Sequence, residues 1–174
     1  MATDKDRIEK KVLLRAPRER VWRAVSDARQ FGAWFGVDFD GPFTPGARLT
    51  GRIVPTTVDE EVARLQRPHE GKPFEITLDR IEPERIFSFR WHPFAMDRTM
   101  DYSSEPTTLV AFELEEVEGG TLLTIAESGF DGIPLTRRAQ AFAANDGGWT
   151  HQAKLIEKYL SRLDLHGTPL NLFR

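Results

Sequence analysis

The sequence contains no cysteine. A disulfide framework and a cysteine nucleophile are both excluded. The lack of thiols suits a reducing compartment, and the expected location is the cytoplasm. Histidine is scarce: His69, His92, His151 and His166 stand far apart, and no His-Glu-x-x-His occurs. A metal site would have to collect its ligands from separate elements, so none is assigned. The chain also lacks a Gly-x-Ser-x-Gly elbow, a phosphate-binding loop and a dinucleotide glycine fingerprint. Those absences remove the ready-made catalytic and cofactor motifs. No catalytic residue and no cofactor is assigned, and any active site would be assembled from distant strands.

Long apolar runs are missing as well. None approaches the roughly 20 residues of a membrane span. The first residues, Met1-Ala2-Thr3-Asp4-Lys5-Asp6-Arg7, are charged and carry no apolar signal region. Nor is one sign of charge in excess: 24 Lys+Arg against 27 Asp+Glu give a net charge of −3. A basic footprint for nucleic acid is absent. The local cluster Arg15, Arg18, Arg20 and Arg23 is interrupted by Glu19 and reads as a solvated helix face.

What remains is a chain of 174 residues with clear periodicities. Its length suits one domain able to bury about 70% of its unfolded surface. A strand is expected at 8–15, broken by Ala16-Pro17. Val21, Trp22 and Val25 then form a short helical stripe. Asp27, with Gln30 three residues on, has capping-box spacing for a second short helix carrying Phe31, Trp34 and Phe35. Gly36 suits its C-terminal cap. The stretch 40–46 reads as turn. Further strands are expected at 47–54, 74–81, 86–92, 109–117 and 121–128. In the fourth strand of the chain Phe87, Phe89 and Trp91 alternate with Ser88, Arg90 and His92, a period of two with one aromatic face. Glu118-Gly119-Gly120 is a hairpin turn. Trp149, Ala153, Ile156, Leu160 and Leu163 recur at helical spacing. Gly147-Gly148 interrupts that helix, and implies either two helices meeting or a close backbone approach. The fold class expected is α+β of the helix-grip type: a curved six-stranded antiparallel sheet around a long C-terminal helix, with two short helices after the first strand.

Three segments together resemble a known family. They are Ala16-Pro17 to Ser26-Asp27 followed by Phe31 and Trp34-Phe35; Ile81-Glu82-Pro83-Glu84-Arg85-Ile86 running into Phe87, Phe89 and Trp91; and Gly120-Thr121 with Glu127-Ser128-Gly129-Phe130, then Gly148-Trp149 and Tyr159-Leu160. In this order they resemble the START-like (SRPBCC) superfamily, and within it bacterial relatives of the C-terminal domain of the Hsp90 ATPase activator. The resemblance implies one START-like domain over 1–174, with a core at 8–163 and a tail at 164–174. It implies a hydrophobic cavity between sheet and long helix, and no single activity: members bind lipids, hormones or polyketides, some catalyse, and the eukaryotic activator engages a chaperone. The chain lacks the large N-terminal domain of that activator, so stimulation of a chaperone ATPase by this chain alone is not expected.

Candidate cavity residues follow from the same strands and helix: Phe89, Trp91, Met96, Tyr102, Phe112, Glu127, Asn145, Trp149 and Gln152. Trp91 lies nearest the long loop, and its indole N–H needs a partner if buried. Glu127 shares a strand face with Leu123 and Ile125. If that face is internal, the carboxylate must be paired or protonated, with Arg90, His92, Arg98 and Asn145 as candidate partners; the opposite register puts Glu127 in solvent. Met96 to Tyr102 suits a loop over a cavity mouth. The first reading is non-enzymatic binding of a small, mostly hydrophobic ligand. The second is a protein-interaction module, for a chaperone, another protein or a second copy as homodimer. The third is a cyclase- or lyase-like enzyme using a carboxylate or histidine.

Overall fold

The computed structural model describes residues 6–93 and 101–161. Met96, Arg98, Leu163 and the expected tail at 164–174 lie outside the described residues. The chain begins with strand β1 (Arg7–Leu14). Helices α1 (Arg18–Ser26) and α2 (Ala28–Phe35) follow. Strands β2 (Val37–Phe39) and β3 (Arg48–Ile53) lead to a short helix α3 (Glu60–Gln66). Strands β4 (Pro73–Glu82), β5 (Ile86–Trp91), β6 (Thr108–Val117) and β7 (Gly120–Ser128) complete the sheet. The long helix α4 spans Leu135–Ser161.

The sheet has seven strands in the order β1-β7-β6-β5-β4-β3-β2, one more than the sequence led us to expect. The additional strand, β2, is only three residues long and pairs Val37 with Ile53 and Phe39 with Gly51. So short an edge strand has no alternation of its own to read; its pairing with β3 defines it. It starts straight after Gly36, whose left-handed φ of 100° ends α2 as expected of a glycine cap. Asp27 caps the other end of α2, accepting from the backbone N–H of Arg29 and Gln30 at 3.0 Å each.

Sheet register places the apolar residues on one concave face. Phe87 opposes Phe112, Phe89 opposes Val110, and Phe112 opposes Ile125. Helix α2 adds Phe31, Trp34 and Phe35 to the same interior. Phe31 stacks on Phe35 with centroids 4.9 Å apart and lies 5.8 Å from Phe112. The Trp34 indole donates to the Ala24 carbonyl at 2.9 Å, joining the two short helices. Helix α4 closes the interior with Trp149, Leu155, Ile156 and Tyr159, all buried. At the sheet edge Lys10, on the same strand face as Ile8, reaches Asp146 of α4 at 2.9 Å.

Gly147 and Gly148 stand inside this one continuous helix. They mark neither a junction of two helices nor a close approach: a Cβ at either position would meet nothing within 4 Å. Both face solvent, and the apolar stripe beyond them holds the helix together through packing. Alanine at either position should therefore stabilise the protein by about 1 kcal/mol. Urea melts of Gly147→Ala and Gly148→Ala check this; a loss of stability in either would show that a glycine conformation is needed there.

Candidate functional site

Strand parity puts Glu127 on the interior face of β7, opposite Val110 on one side and Ile8 on the other. The residue is 0% exposed. Four neutral groups from three other elements converge on its carboxylate. The Trp149 indole donates to Oε1 at 2.8 Å. The Trp91 indole donates to Oε2 at 2.8 Å. The Thr108 hydroxyl donates to Oε2 at 2.6 Å. The Asn145 amide reaches Oε1 at 2.9 Å and Oε2 at 3.0 Å. Asn145 and Trp149 are four residues apart on α4 and so share a helix face. Trp91 and Thr108 are paired across β5 and β6. No lysine, arginine or histidine among the described residues forms an ion pair with Glu127. The carboxylate is held by hydrogen bonds alone, each of which lowers the cost of burying it.

In front of this network lies a concavity of about 580 Å3, bordered by Phe35, Phe74, Trp91, Tyr102 and Asn145, with Arg48, Glu75, His92 and Asp101 among the polar residues around it. Phe74 packs edge to face on Trp91 with centroids 5.7 Å apart. One wall is braced from α4. Arg137 binds Glu105 at 2.7 Å with both side chains only 12% exposed, donates to the Pro93 carbonyl at 3.2 Å, and lies 4.8 Å over the Tyr102 ring. The His92 Nε2 is 3.1 Å from the Glu105 carbonyl. Asp101, at the rim, is held below the usual carboxylate range by hydrogen bonds from Ser103. Arg48 is paired with Glu75 at 2.9 Å.

Seven of the nine predicted residues fall into three groups. Trp91, Tyr102 and Asn145 border the concavity. Glu127 and Trp149 sit behind it, buried and bonded to each other. Phe89 and Phe112 are 0% exposed and belong to the packed aromatic core rather than to the concavity. Gln152 donates to the Phe35 carbonyl at 3.3 Å, while its Oε1 is buried without a hydrogen-bond partner. Met96 lies outside the described residues. Of the partners considered for Glu127, Asn145 is used; Arg90 is exposed on the opposite face of β5, and His92 turns to Glu105. Sequence reasoning missed Thr108, Phe35, Phe74 and Arg137. Phe74 alternates with Ile76 and Leu78 and was readable from that period. Thr108 carried no signal, because nothing in the sequence shows that it opens a strand opposite Trp91.

A second concavity of about 590 Å3 lies between α2 and β2 and includes Asp27, Arg29, Gly32, Asp38, Asp40 and Thr57. It contains none of the predicted residues and none of the groups that hold Glu127.

The family profile described as Activator of Hsp90 ATPase homolog 1-like protein matches residues 15–161. The chain belongs to that family. The match spans the interval from just before α1 to the end of α4, and so takes in every donor to Glu127. No curated protein matches the chain. Solved structures share the START-like fold of the family. One from Mesorhizobium loti is 22% identical with a TM-score of 0.66, covering 91% of this chain and 99% of that one. One from Arthrobacter aurescens is 19% identical with a TM-score of 0.67, covering 90% and 87%. DynU16, from the dynemicin biosynthetic locus, is 26% identical with a TM-score of 0.62; the match covers 90% of this chain and 47% of that protein.

Glu127→Gln tests the network. Whichever way the amide turns, its NH2 faces either the Trp91 or the Trp149 indole, so one buried N–H is left without an acceptor. The expected cost is about 1–3 kcal/mol in denaturant melts. A variant as stable as the wild type would contradict the geometry.

Proposed function

We propose that this protein is a cytoplasmic, non-catalytic binding domain that takes a small, mostly hydrophobic molecule in the concavity beside Trp91. The observation that carries this reading is the aromatic lining of that concavity by Phe35 of α2, Phe74 and Trp91 of the sheet, and Tyr102 of the segment before β6. A volume of about 580 Å3 falls within the range of about 300–1,000 Å3 usual for small-molecule sites. The ligand belongs at the mouth rather than deep between sheet and helix, because Phe31, Phe87, Phe89 and Phe112 already pack that interior with at most 1% exposure.

The enzymatic reading is weaker. Glu127 has no exposed surface and both its oxygens are engaged, so it cannot touch a substrate as general acid or base. The interaction-module reading, including a homodimer, asks for a contiguous apolar patch. The large exposed apolar side chains among the described residues, Leu13, Leu65 and Leu135, stand on three different elements. The family description alone favours a chaperone partner, and no surface feature of the described residues adds to it.

A thermal-shift screen of fatty acids, flavonoids and aromatic metabolites tests the reading. A ligand bound only by the folded state adds about 2.7 kcal/mol at one hundred times Kd. That gain should vanish in both Trp91→Ala and Phe74→Ala, each measured against its own unliganded baseline. If the gain survives in both variants, the ligand binds elsewhere.

A further inference from the structure

The network described above directs donors, and no acceptor-only group, at both oxygens of Glu127, which is how an ionised carboxylate is solvated. Its four partners, Trp91, Trp149, Thr108 and Asn145, are neutral donors. They solvate the carboxylate without cancelling its charge, and a charge in poorly polarisable surroundings acts over longer distances than one in water. Trp91 and Asn145 both border the concavity and both bond to that carboxylate. Of the charged groups around the concavity, Arg48 is already balanced by Glu75 at 2.9 Å, while Asp101 adds a second negative charge at the rim.

Trp91 transmits the asymmetry. Its N–H is given to the carboxylate inside, while its ring borders the concavity. An indole whose N–H is bonded to an anion is polarised toward its ring, which strengthens the attraction of the ring face for a cation. Phe74, Phe35 and Tyr102 extend that aromatic surface. The protein itself places a cation on one of these walls, the Arg137 guanidinium 4.8 Å over Tyr102. Asn145 fits the same pattern. Its NH2 is fixed on Glu127, so the acceptor oxygen is the polar atom it has left to offer where it borders the concavity.

We infer that the ligand of this concavity is an organic cation: an apolar body carrying a protonated or quaternary amine, seated on the Trp91 ring in the field of Glu127. The inference rests on the binding reading above and narrows it to one charge class.

The probes are benzyltrimethylammonium, its neutral isostere neopentylbenzene, and phenylacetate as the anion. Each is titrated against the full chain while the Trp91 indole resonance is followed by NMR, with the Trp149 indole, whose ring centroid lies 5.6 Å from that of Trp91, as the reporter in Trp91→Phe. The wild type should bind the cation about tenfold more tightly than the neutral isostere, with phenylacetate weakest. Glu127→Gln should bring the cation and the isostere to within about twofold of each other. Trp91→Phe keeps an aromatic wall without the bonded N–H, and should reduce the preference for the cation even if Glu127→Gln does not fold. Equal binding of cation and isostere to the wild type, or a preference unchanged in Trp91→Phe, overturns the cation assignment and leaves the apolar site standing. If none of the three probes moves the Trp91 resonance, both the site and its charge class are refuted.

Discussion

Burying a carboxylate removes the water that would solvate it, and the protein has to replace that water with donors of its own. Glu127 is supplied from β5, β6 and α4 at once, while its own strand lies between β1 and β6. Each donor can reach it only if strand register and helix position are both correct. A slip of one residue in β7 would send the carboxylate to the outer face and leave two indoles and an amide without an acceptor. An axial shift of α4 would part Asn145 and Trp149 from it together. The network therefore ties the sheet register to the seating of the long helix.

The same bonds fix what the concavity presents. Trp91 closes the inner end of β5, and its orientation follows from giving its N–H to Glu127. Behind it, the rings of Phe31, Phe87, Phe89 and Phe112 fill the sheet–helix space. The free volume moves out to the mouth, where Arg137 holds Glu105, Pro93 and Tyr102 against the start of α4. The outcome is an aromatic surface beside a buried charge, with access from solvent and a braced wall.

Much of this was legible in the sequence where period and parity carry information. The two-residue alternation of β5 separates Trp91 from Arg90, which explains why the tryptophan meets Glu127 and the arginine does not. The shared parity of Leu123, Ile125 and Glu127 tied the carboxylate to the face of those two side chains but left open which face is internal, and Asn145 and Trp149 both stood near the start of the helix's apolar stripe. Features without a period were not legible. β2 exists through its pairing with β3. Thr108 is identified only by standing opposite Trp91. Gly147-Gly148 suggested a break, yet packing on either side carries the helix through. The resemblance implied a cavity between sheet and helix, but side-chain volumes decide how much of that space stays empty, and aromatic rings occupy most of it.

The shared anchoring of two indoles on one carboxylate is the claim from which the rest follows, and it can be observed directly. The chain has four tryptophans, Trp22, Trp34, Trp91 and Trp149, and so four indole N–H resonances in a proton–nitrogen correlation spectrum. Hydrogen bonding to a carboxylate should move the Trp91 and Trp149 protons downfield and slow their exchange with water, relative to the half-buried Trp22. Both should move together when Glu127 is replaced by glutamine, with Trp34, bonded to the Ala24 carbonyl, left in place. If the Trp91 and Trp149 resonances match that of Trp22 in the wild type, or stay unmoved in the variant, Glu127 is not the acceptor that organises this fold.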